Sequence, residues 1–263
     1  MSMGDQKKEI LMKRIVFITG ATSGIGQACA EKFAAAGDDL IINGRRQDRL
    51  EELQQSLHQR YAVDILCASF DVRSREEVTN SVNGFRGKWR HIDILINNAG
   101  LALGRDFFEE ASLDDWETMV STNVNGLLYV SKAVIPLMIE QAHGHILNLG
   151  SVAGDEVYEK GNVYCASKAA VEAISRAMRI DLLRHQIKVT NIKPGAVETE
   201  FGVVRFKGDA LQAAKVYEGF TPLTGADIAG SIFYCASLPP NVCINELEIT
   251  PVSQANGIFF FRK

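Results

Sequence analysis

The chain has 263 residues, 46% of them hydrophobic, with a formal net charge of −4. That length suffices to bury the core of one α/β domain. The negative balance gives no basis for a nucleic-acid partner, and no apolar run approaches the roughly 20 residues a membrane-spanning helix requires.

Residues 1–12 are polar and charged, lack the apolar core of a signal peptide, and read as a disordered extension. From there strand and helix patterns alternate. Ile15–Thr19 is a short β-branched run, and Ile25–Ala36 has helical periodicity ending at Gly37, a plausible C-terminal cap. Leu40–Asn43 is the next strand, Gln47–Gln59 a charged amphipathic helix, and Asp64–Phe70 a third strand. Ser74 has the character of an N-cap for a third helix. Ile92–Asn97 is apolar enough for a strand buried on both faces. Ser112, Asp114 and Asp115 open a helix that runs towards Gln141, with Pro136 as a candidate kink. His145–Leu149 is a fifth strand, Asn162–Arg184 a long helix and Ile187–Ile192 a sixth strand. An irregular stretch from Pro194 to about Gly208 precedes helices to about Ala236 and a last strand, Ile244–Ile249. The alternation predicts one Rossmann-like, doubly wound α/β domain over residues 13–263, with a parallel sheet of about seven strands and helices on both faces.

The first strand meets the first helix through Thr19-Gly20-Ala21-Thr22-Ser23-Gly24-Ile25-Gly26. Glycines at 20, 24 and 26 allow a tight turn and close approach of a pyrophosphate, which the helix N-terminus then holds. Gly20, Thr22, Ser23, Gly24, Ile25 and Gly26 are therefore candidate cofactor-binding residues. A glycine turn alone can be merely structural; its place at the head of the alternation gives it meaning. After the second strand comes Asn43-Gly44-Arg45-Arg46. An NAD site normally carries an acid there for the ribose 2′-hydroxyl. Here Gly44 leaves room, and Arg45 and Arg46 offer guanidinium groups for a 2′-phosphate, which points to NADP.

Tyr164 and Lys168 are four residues apart, thirteen and more beyond Ser151. On a helix this spacing puts both side chains on one face. A phenol of pKa about 10 is a weak base near neutrality, and lowering it by about three units requires roughly 4 kcal/mol. One cation about 4 Å away supplies a contribution of that order. The pair reads as a proton-transfer device for alcohol–carbonyl chemistry.

Together these residues resemble the short-chain dehydrogenase/reductase family, from Lys13 onward. The matches, in order, are Thr19–Gly26, Asp71-Val72, Asn97-Asn98-Ala99-Gly100, Asn123, Ser151 with Tyr164 and Lys168, and Pro194-Gly195. The resemblance implies that Asp71 and Val72 meet the adenine, and that Asn98, Ala99 and Gly100 line the cofactor near its ribose. Ser151 would hold the substrate oxygen and Tyr164 exchange the proton. Lys168 would bind the nicotinamide ribose, and Asn123 would anchor a water leading to solvent. Pro194, Gly195, Val197 and Thr199 would contact the nicotinamide end. It also implies a homotetramer.

A narrower similarity, in Asn98–Gly104, Asp115–Met119, Thr199–Phe201 and Val204–Asp209, is to the NADP-dependent 3-hydroxy acid dehydrogenase branch. That branch implies L-serine, L-allo-threonine or 3-hydroxyisobutyrate, or malonic semialdehyde in reverse. Such a substrate needs an anchor for its carboxylate. Arg205, in a substrate loop at about 194–222, is the first candidate, ahead of Lys160, Arg105 and Lys207. Glu156 and Glu159 would repel an acid if they faced the pocket. The alternatives are a reductase of another ketone, keto-ester or sugar, and a non-catalytic sensor of NADP(H).

The five cysteines have no metal-ligand spacing and read as reduced thiols of a cytoplasmic protein. His143 and His145 flank Gly144 without a third ligand, so no metal is expected. The tail Gly257–Lys263 is apolar enough that it is expected to pack on its own core or at a subunit contact.

Overall fold

The computed structural model describes residues 13–263; the expected extension, 1–12, lies outside them. Seven parallel strands form one sheet: β1 (Ile15–Ile18), β2 (Asp39–Gly44), β3 (Ile65–Ser69), β4 (Ile94–Asn97), β5 (His145–Leu149), β6 (Lys188–Pro194) and β9 (Glu246–Ile249), in the order β3-β2-β1-β4-β5-β6-β9. A separate pair, β7 (Val197–Glu198) and β8 (Leu223–Thr224), joins the loop after β6 to the loop before the last helix. The chain runs outward from β1 to β3, then returns to place β4 on the other side of β1. That reversal opens a crevice at the carboxyl ends of β1 and β4, where ligands of such sheets bind.

Helices cover both faces. α1 (Gly24–Ala35), α2 (Gln47–Tyr61) and α9 (Gly225–Ala236) enclose one core around Val16, Ile18, Leu40, Ile42 and Ile96. α3 (Arg75–Asn83), α5 (Leu127–Glu140) and α6 (Asn162–Asp181) cover the other face, around Phe17, Ile41, Leu95, Ile146 and Val189. Adjacent strand residues enter opposite cores, so β1 throughout, Leu40–Ile42 of β2 and Ile94–Ile96 of β4 are apolar at successive positions. Ser74 and Ser112 cap their helices by accepting from Glu77 N and Asp115 N. Gly37 follows α1 with φ +90°, in the left-handed region that suits glycine.

Two local expectations are refined. α5 continues through Pro136, and the irregular turn of this long helical run lies upstream: Ser121–Gly126 is a π-helical segment between α4 (Leu113–Val120) and α5. The stretch from Pro194 to about Gly208 is not irregular throughout, since α7 (Glu200–Arg205) forms within it, while α8 (Ala210–Lys215) lies in the helical region expected beyond it. Thr199 and Asp209 start them as N-caps, accepting from Phe201 N and Gln212 N. These short polar caps end the strand pattern where hydrophobic periodicity alone gives no helix.

Candidate active site

The crevice holds a cavity of about 840 Å³ that runs from the β1–α1 turn, across the ends of β4 and β5, to α7 and the C-terminal tail. At one end, Gly20 and Gly24 take φ of +63° and +53°. A Cβ on Gly26 would stand 2.2 Å from the Gly20 carbonyl oxygen, so this position needs glycine to bring helix and turn together. Ser23, the N-cap residue of α1, makes no side-chain cap, which leaves the first amides of a twelve-residue helix facing the cavity. Those free donors fit a pyrophosphate.

Farther along, Arg45, Arg46, Asp71 and Val72 line the same end of the cavity. Arg46 donates to Thr22 Oγ1 at 3.3 Å. A Cβ on Gly44 would meet the Thr22 methyl at 2.8 Å, so the room left by Gly44 is taken up by Thr22. Asp71 pairs with Arg73 at 2.6 Å. Burial alone would raise its pKa, but Arg73 and the charge of Arg45 hold the carboxyl below its ordinary value. No carboxylate from β2 faces the arginines; its last side chain before Gly44 is Asn43, bonded to the Ala68 and Phe70 carbonyls. Thr122, in the π-helical segment, is buried and lines the cavity, yet its hydroxyl has no partner among the described residues. A buried hydroxyl without a partner is unfavourable in a cavity wall unless a ligand supplies one.

The centre of the cavity is built from three elements. Ser151 follows β5; its hydroxyl accepts from Ala153 N at 3.1 Å and donates to the Pro194 carbonyl at 3.4 Å. Tyr164 and Lys168 come from the first two turns of α6. Lys168 Nζ donates to the Leu149 carbonyl at 2.7 Å and lies 6.0 Å from the centre of the Tyr164 ring. Burial pushes Lys168 down to about 8. Burial also holds the Tyr164 phenol above its ordinary pKa, with Tyr158 adding to the rise and Ser151 and Arg205 opposing it.

Asn123 does not line the cavity. It stands behind it, exchanging bonds of 2.8 Å with both backbone groups of Leu101 and donating to Ser167 Oγ at 3.0 Å. A Cβ on Gly100 would come within 3.2 Å of Asn123 Oδ1 and 3.6 Å of Lys168 Nζ, so Gly100 keeps these two groups adjacent. Gly26 likewise packs beneath the cavity. The other expected cofactor residues, Asn98, Ala99, Pro194, Gly195, Val197 and Thr199 included, line it.

At the far end Arg205 reaches Tyr164. Its guanidinium donates to the Tyr158 hydroxyl at 2.9 Å and lies 5.5 Å from the centres of both the Tyr158 and Tyr164 rings. Lys160 and Lys207 do not line the cavity: Lys160 sits 4.0 Å from the Phe107 ring centre, and Lys207 pairs with Asp115 at 2.8 Å. Glu156 is occupied by the tail, accepting from Gly257 N at 2.9 Å, whereas Glu159 remains on the cavity wall. The tail closes one side with Ile258, Phe260 and Arg262. Phe260 stacks on Phe220, as expected of a tail packing on its own chain, while Phe259 and Phe261 stay exposed. Tyr158, Thr122, Arg73 and Arg262 carry no motif, and only their positions in the fold bring them to the cavity.

A family model of the short chain dehydrogenases matches residues 14–209. The chain belongs to this family and is an oxidoreductase. It is 46% identical over 242 residues to the NADP-dependent 3-hydroxy acid dehydrogenase YdfG of Salmonella typhi, covering 92% of this chain and 96% of that one. It is 45% identical over 249 residues to sulfoacetaldehyde reductase 2 of Chromohalobacter salexigens, covering 94% and 98%. Among solved structures, the closed form of a serine dehydrogenase complexed with NADP+ superposes with a TM-score of 0.89 at 43% identity, over 95% of this chain and 99% of that one. Among the described residues, no helix is long and apolar enough to cross a membrane.

Proposed function

We propose that the chain interconverts a small 3-hydroxy acid and its 3-oxo acid with NADP(H), the carboxylate anchored by Arg205 and Tyr158. The position of Arg205 carries this reading. Its guanidinium stands beside the ring of Tyr164 and is already bonded to Tyr158, so an acid held there has its hydroxyl carbon next to the phenol. A guanidinium can grip a carboxylate with two parallel hydrogen bonds, and binding at a distance from the reacting carbon orients it.

NADP supplies or takes the hydride when bound. The glycine turn and the free amides of α1 would hold its phosphates, Arg45 and Arg46 its 2′-phosphate, and Asp71 and Val72 its adenine. Asn98, Ala99 and Gly100 would line its ribose side, and Pro194, Gly195, Val197 and Thr199 its nicotinamide end. The Thr122 hydroxyl adds an unassigned hydrogen-bonding group along that course. In the reduction, Ser151 would hold the carbonyl oxygen and Tyr164 donate the proton. Burial favours the neutral phenol, which is the form that donates. Lys168 would bind the nicotinamide ribose and favour the phenolate once the proton has left. Asn123, through its bonds to Leu101, would fix a water path behind Lys168.

The cavity also suits a sulfonate in place of the carboxylate, because Arg205 and Tyr158 offer donors that either anion accepts. The sulfoacetaldehyde reductase relative favours keeping this second reading. One assay separates the substrates. Absorbance of NADPH is followed with NADP+ and L-serine, L-allo-threonine, 3-hydroxyisobutyrate, isethionate (the alcohol of sulfoacetaldehyde) and neutral secondary alcohols. Turnover confined to the carboxylic acids supports the first reading, and isethionate alone the second. Turnover of neutral alcohols only would remove Arg205 as an anchor and leave a reductase of another ketone or a sugar. No turnover on any carbonyl or alcohol, with NADPH still bound, would mean a sensor.

A further inference from the structure

A second, smaller cavity of about 220 Å³ adjoins the substrate end of the first. Arg105, Phe206, Gln212, Lys215, Val216 and Arg262 line it, and Arg105, Val216 and Arg262 belong to the walls of both cavities. Three cations thus face a space with no carboxylate in its wall. Among the described residues, Arg105, Lys215 and Arg262 form no ion pair. In a chain with a net charge of −4, carboxylates are plentiful elsewhere, so a carboxylate-free basic pocket is a local feature.

One of the cations is held in place. Arg262 donates to the Val216 carbonyl at 3.1 Å and to that of Glu218, and its guanidinium lies 5.0 Å and 5.5 Å from the ring centres of Phe220 and Phe260. A guanidinium fixed in this way loses little further freedom on meeting an anion. Arg105 lies 6.0 Å from the centre of the Tyr158 ring, and Arg205 lies 5.5 Å from the same centre. The Tyr158 ring is thus a common neighbour of the carboxylate anchor and of the first member of the second basic group. Gln212 adds a neutral donor.

We propose that this cavity is a second anion subsite, taking a carboxylate at the far end of the substrate. The inference rests on Arg205 as the anchor for the first. The substrates it favours are 3-hydroxy dicarboxylic acids, the smallest simple probe being 3-hydroxyglutarate. In its oxidation the carbinol carbon loses a hydride to the nucleotide and the hydroxyl loses its proton through Tyr164, giving 3-oxoglutarate, NADPH and a proton. The second carboxylate takes no part in bond changes; it contributes binding alone.

The test compares 3-hydroxyglutarate with 3-hydroxypentanoate, which have the same five carbons and hydroxyl position but differ in the second carboxylate. With NADP+, kcat/KM is expected to be about tenfold higher for the dicarboxylate, the scale of one charge-assisted contact. Lys215→Gln lies outside the larger cavity. It is expected to remove most of that preference and leave 3-hydroxypentanoate within about twofold of the unaltered protein. A ratio near one in the unaltered protein, or an equal loss on both substrates in the variant, overturns the subsite. Glutarate and pentanoate, measured as inhibitors of whichever alcohol is oxidised, repeat the comparison without requiring a 3-hydroxy acid substrate. Equal inhibition by the two removes the subsite. Turnover confined to neutral alcohols, with glutarate still the stronger inhibitor and Lys215→Gln abolishing the difference, removes instead the Arg205 anchor and keeps the basic cavity as an anion site.

Discussion

Tyr164 and Arg45 show how far a single side chain can be argued. Tyr164 sits in a wall that disfavours its charge, and the lysine expected to lower its pKa is itself lowered by burial. The neutral phenol gives up its proton more readily when a ligand brings further positive charge beside it, which ties proton transfer to a loaded site. Tyr164→Phe keeps the ring against Phe201, 5.7 Å between centres, and removes only the hydroxyl. It is expected to bind NADPH as the unaltered protein does while turnover falls by about 10²–10⁴, the range of general acid–base catalysis. Fluorescence titration with NADPH beside steady-state rates checks both halves, and surviving turnover would refute the proton role. Arg45 tests the nucleotide in the same spirit. Arg45→Ala is expected to weaken NADPH by about tenfold or more and NADH by little, since only NADPH carries the 2′-phosphate that a charge-assisted bond would reach. Equal weakening of both would take Arg45 off the phosphate.

At the scale of the element, the β1–α1 turn was legible because its glycines answer to backbone geometry. Gly26 has no room for a Cβ against the Gly20 carbonyl, so Gly26→Ala must push α1 off the turn and misalign its free amides. NADPH affinity is expected to fall by at least tenfold; thermal unfolding of the variant with and without NADPH should show that the nucleotide no longer raises Tm. The long helix after β5 was equally readable, because Tyr164 and Lys168 keep helical spacing and a strand precedes them. α7 was not, for a physical reason: it is six residues long, too short for periodicity, and it is fixed by a polar cap and by its neighbours. Tyr158 shows the same limit. Six residues before Tyr164 in sequence, it reaches the site because the loop after Ser151 folds back over α7, a contact between distant segments that no local pattern records. A further regularity crosses the sheet. Asn97, Asn148 and Asn191 stand in register on β4, β5 and β6. Asn97 donates to Asn148 Oδ1 at 2.9 Å, and Asn148 to Ser175 on α6 at 2.9 Å. Through Asn97 and Asn148 this ties β4 and β5 to the helix that carries Tyr164 and Lys168, while the Asn191 side chain has no partner among the described residues.

For the molecule as a whole, apolar groups remain outside the core. Phe108, Leu113, Ile180, Leu183, Phe259 and Phe261 are each more than 60% exposed. Distributed over α4 and the turn before it, α6 and the turn after it, and the tail, they fit the expected homotetramer, and gel filtration that returned only monomer would defeat it. The two histidines around Gly144 bear on stability instead, with opposite signs. Burial alone would lower His143, but its 2.7 Å bond to Asp93 raises it. Its contribution is present below the ordinary pKa and is lost as pH rises through the folded value. His145 is buried, with Nε2 2.7 Å from Thr190 Oγ1. The Thr190 hydroxyl donates its one proton to the Ile244 carbonyl at 2.6 Å, so the network assigns His145 the tautomer with its proton on Nε2. Nδ1 is then a bare acceptor without a partner among the described residues. A second proton there would be buried and unpaired near Lys188, and His145 is lowered from 6.5 to about 3. The folded value lies below the unfolded one, so the unfolded chain takes up the proton first. Stability from this residue is complete above pH 6.5 and is lost progressively as pH falls towards 3. Each unit of such a shift corresponds to about 1.4 kcal/mol, enough for the window to matter against a total of roughly 5–15 kcal/mol. His145→Gln retains an amide donor for Thr190 and cannot titrate. Its urea midpoint is expected to be the lower of the two at pH 7.5 and to fall less than that of the unaltered protein on going to about pH 5. Parallel declines would place the acid sensitivity in the carboxylates alone.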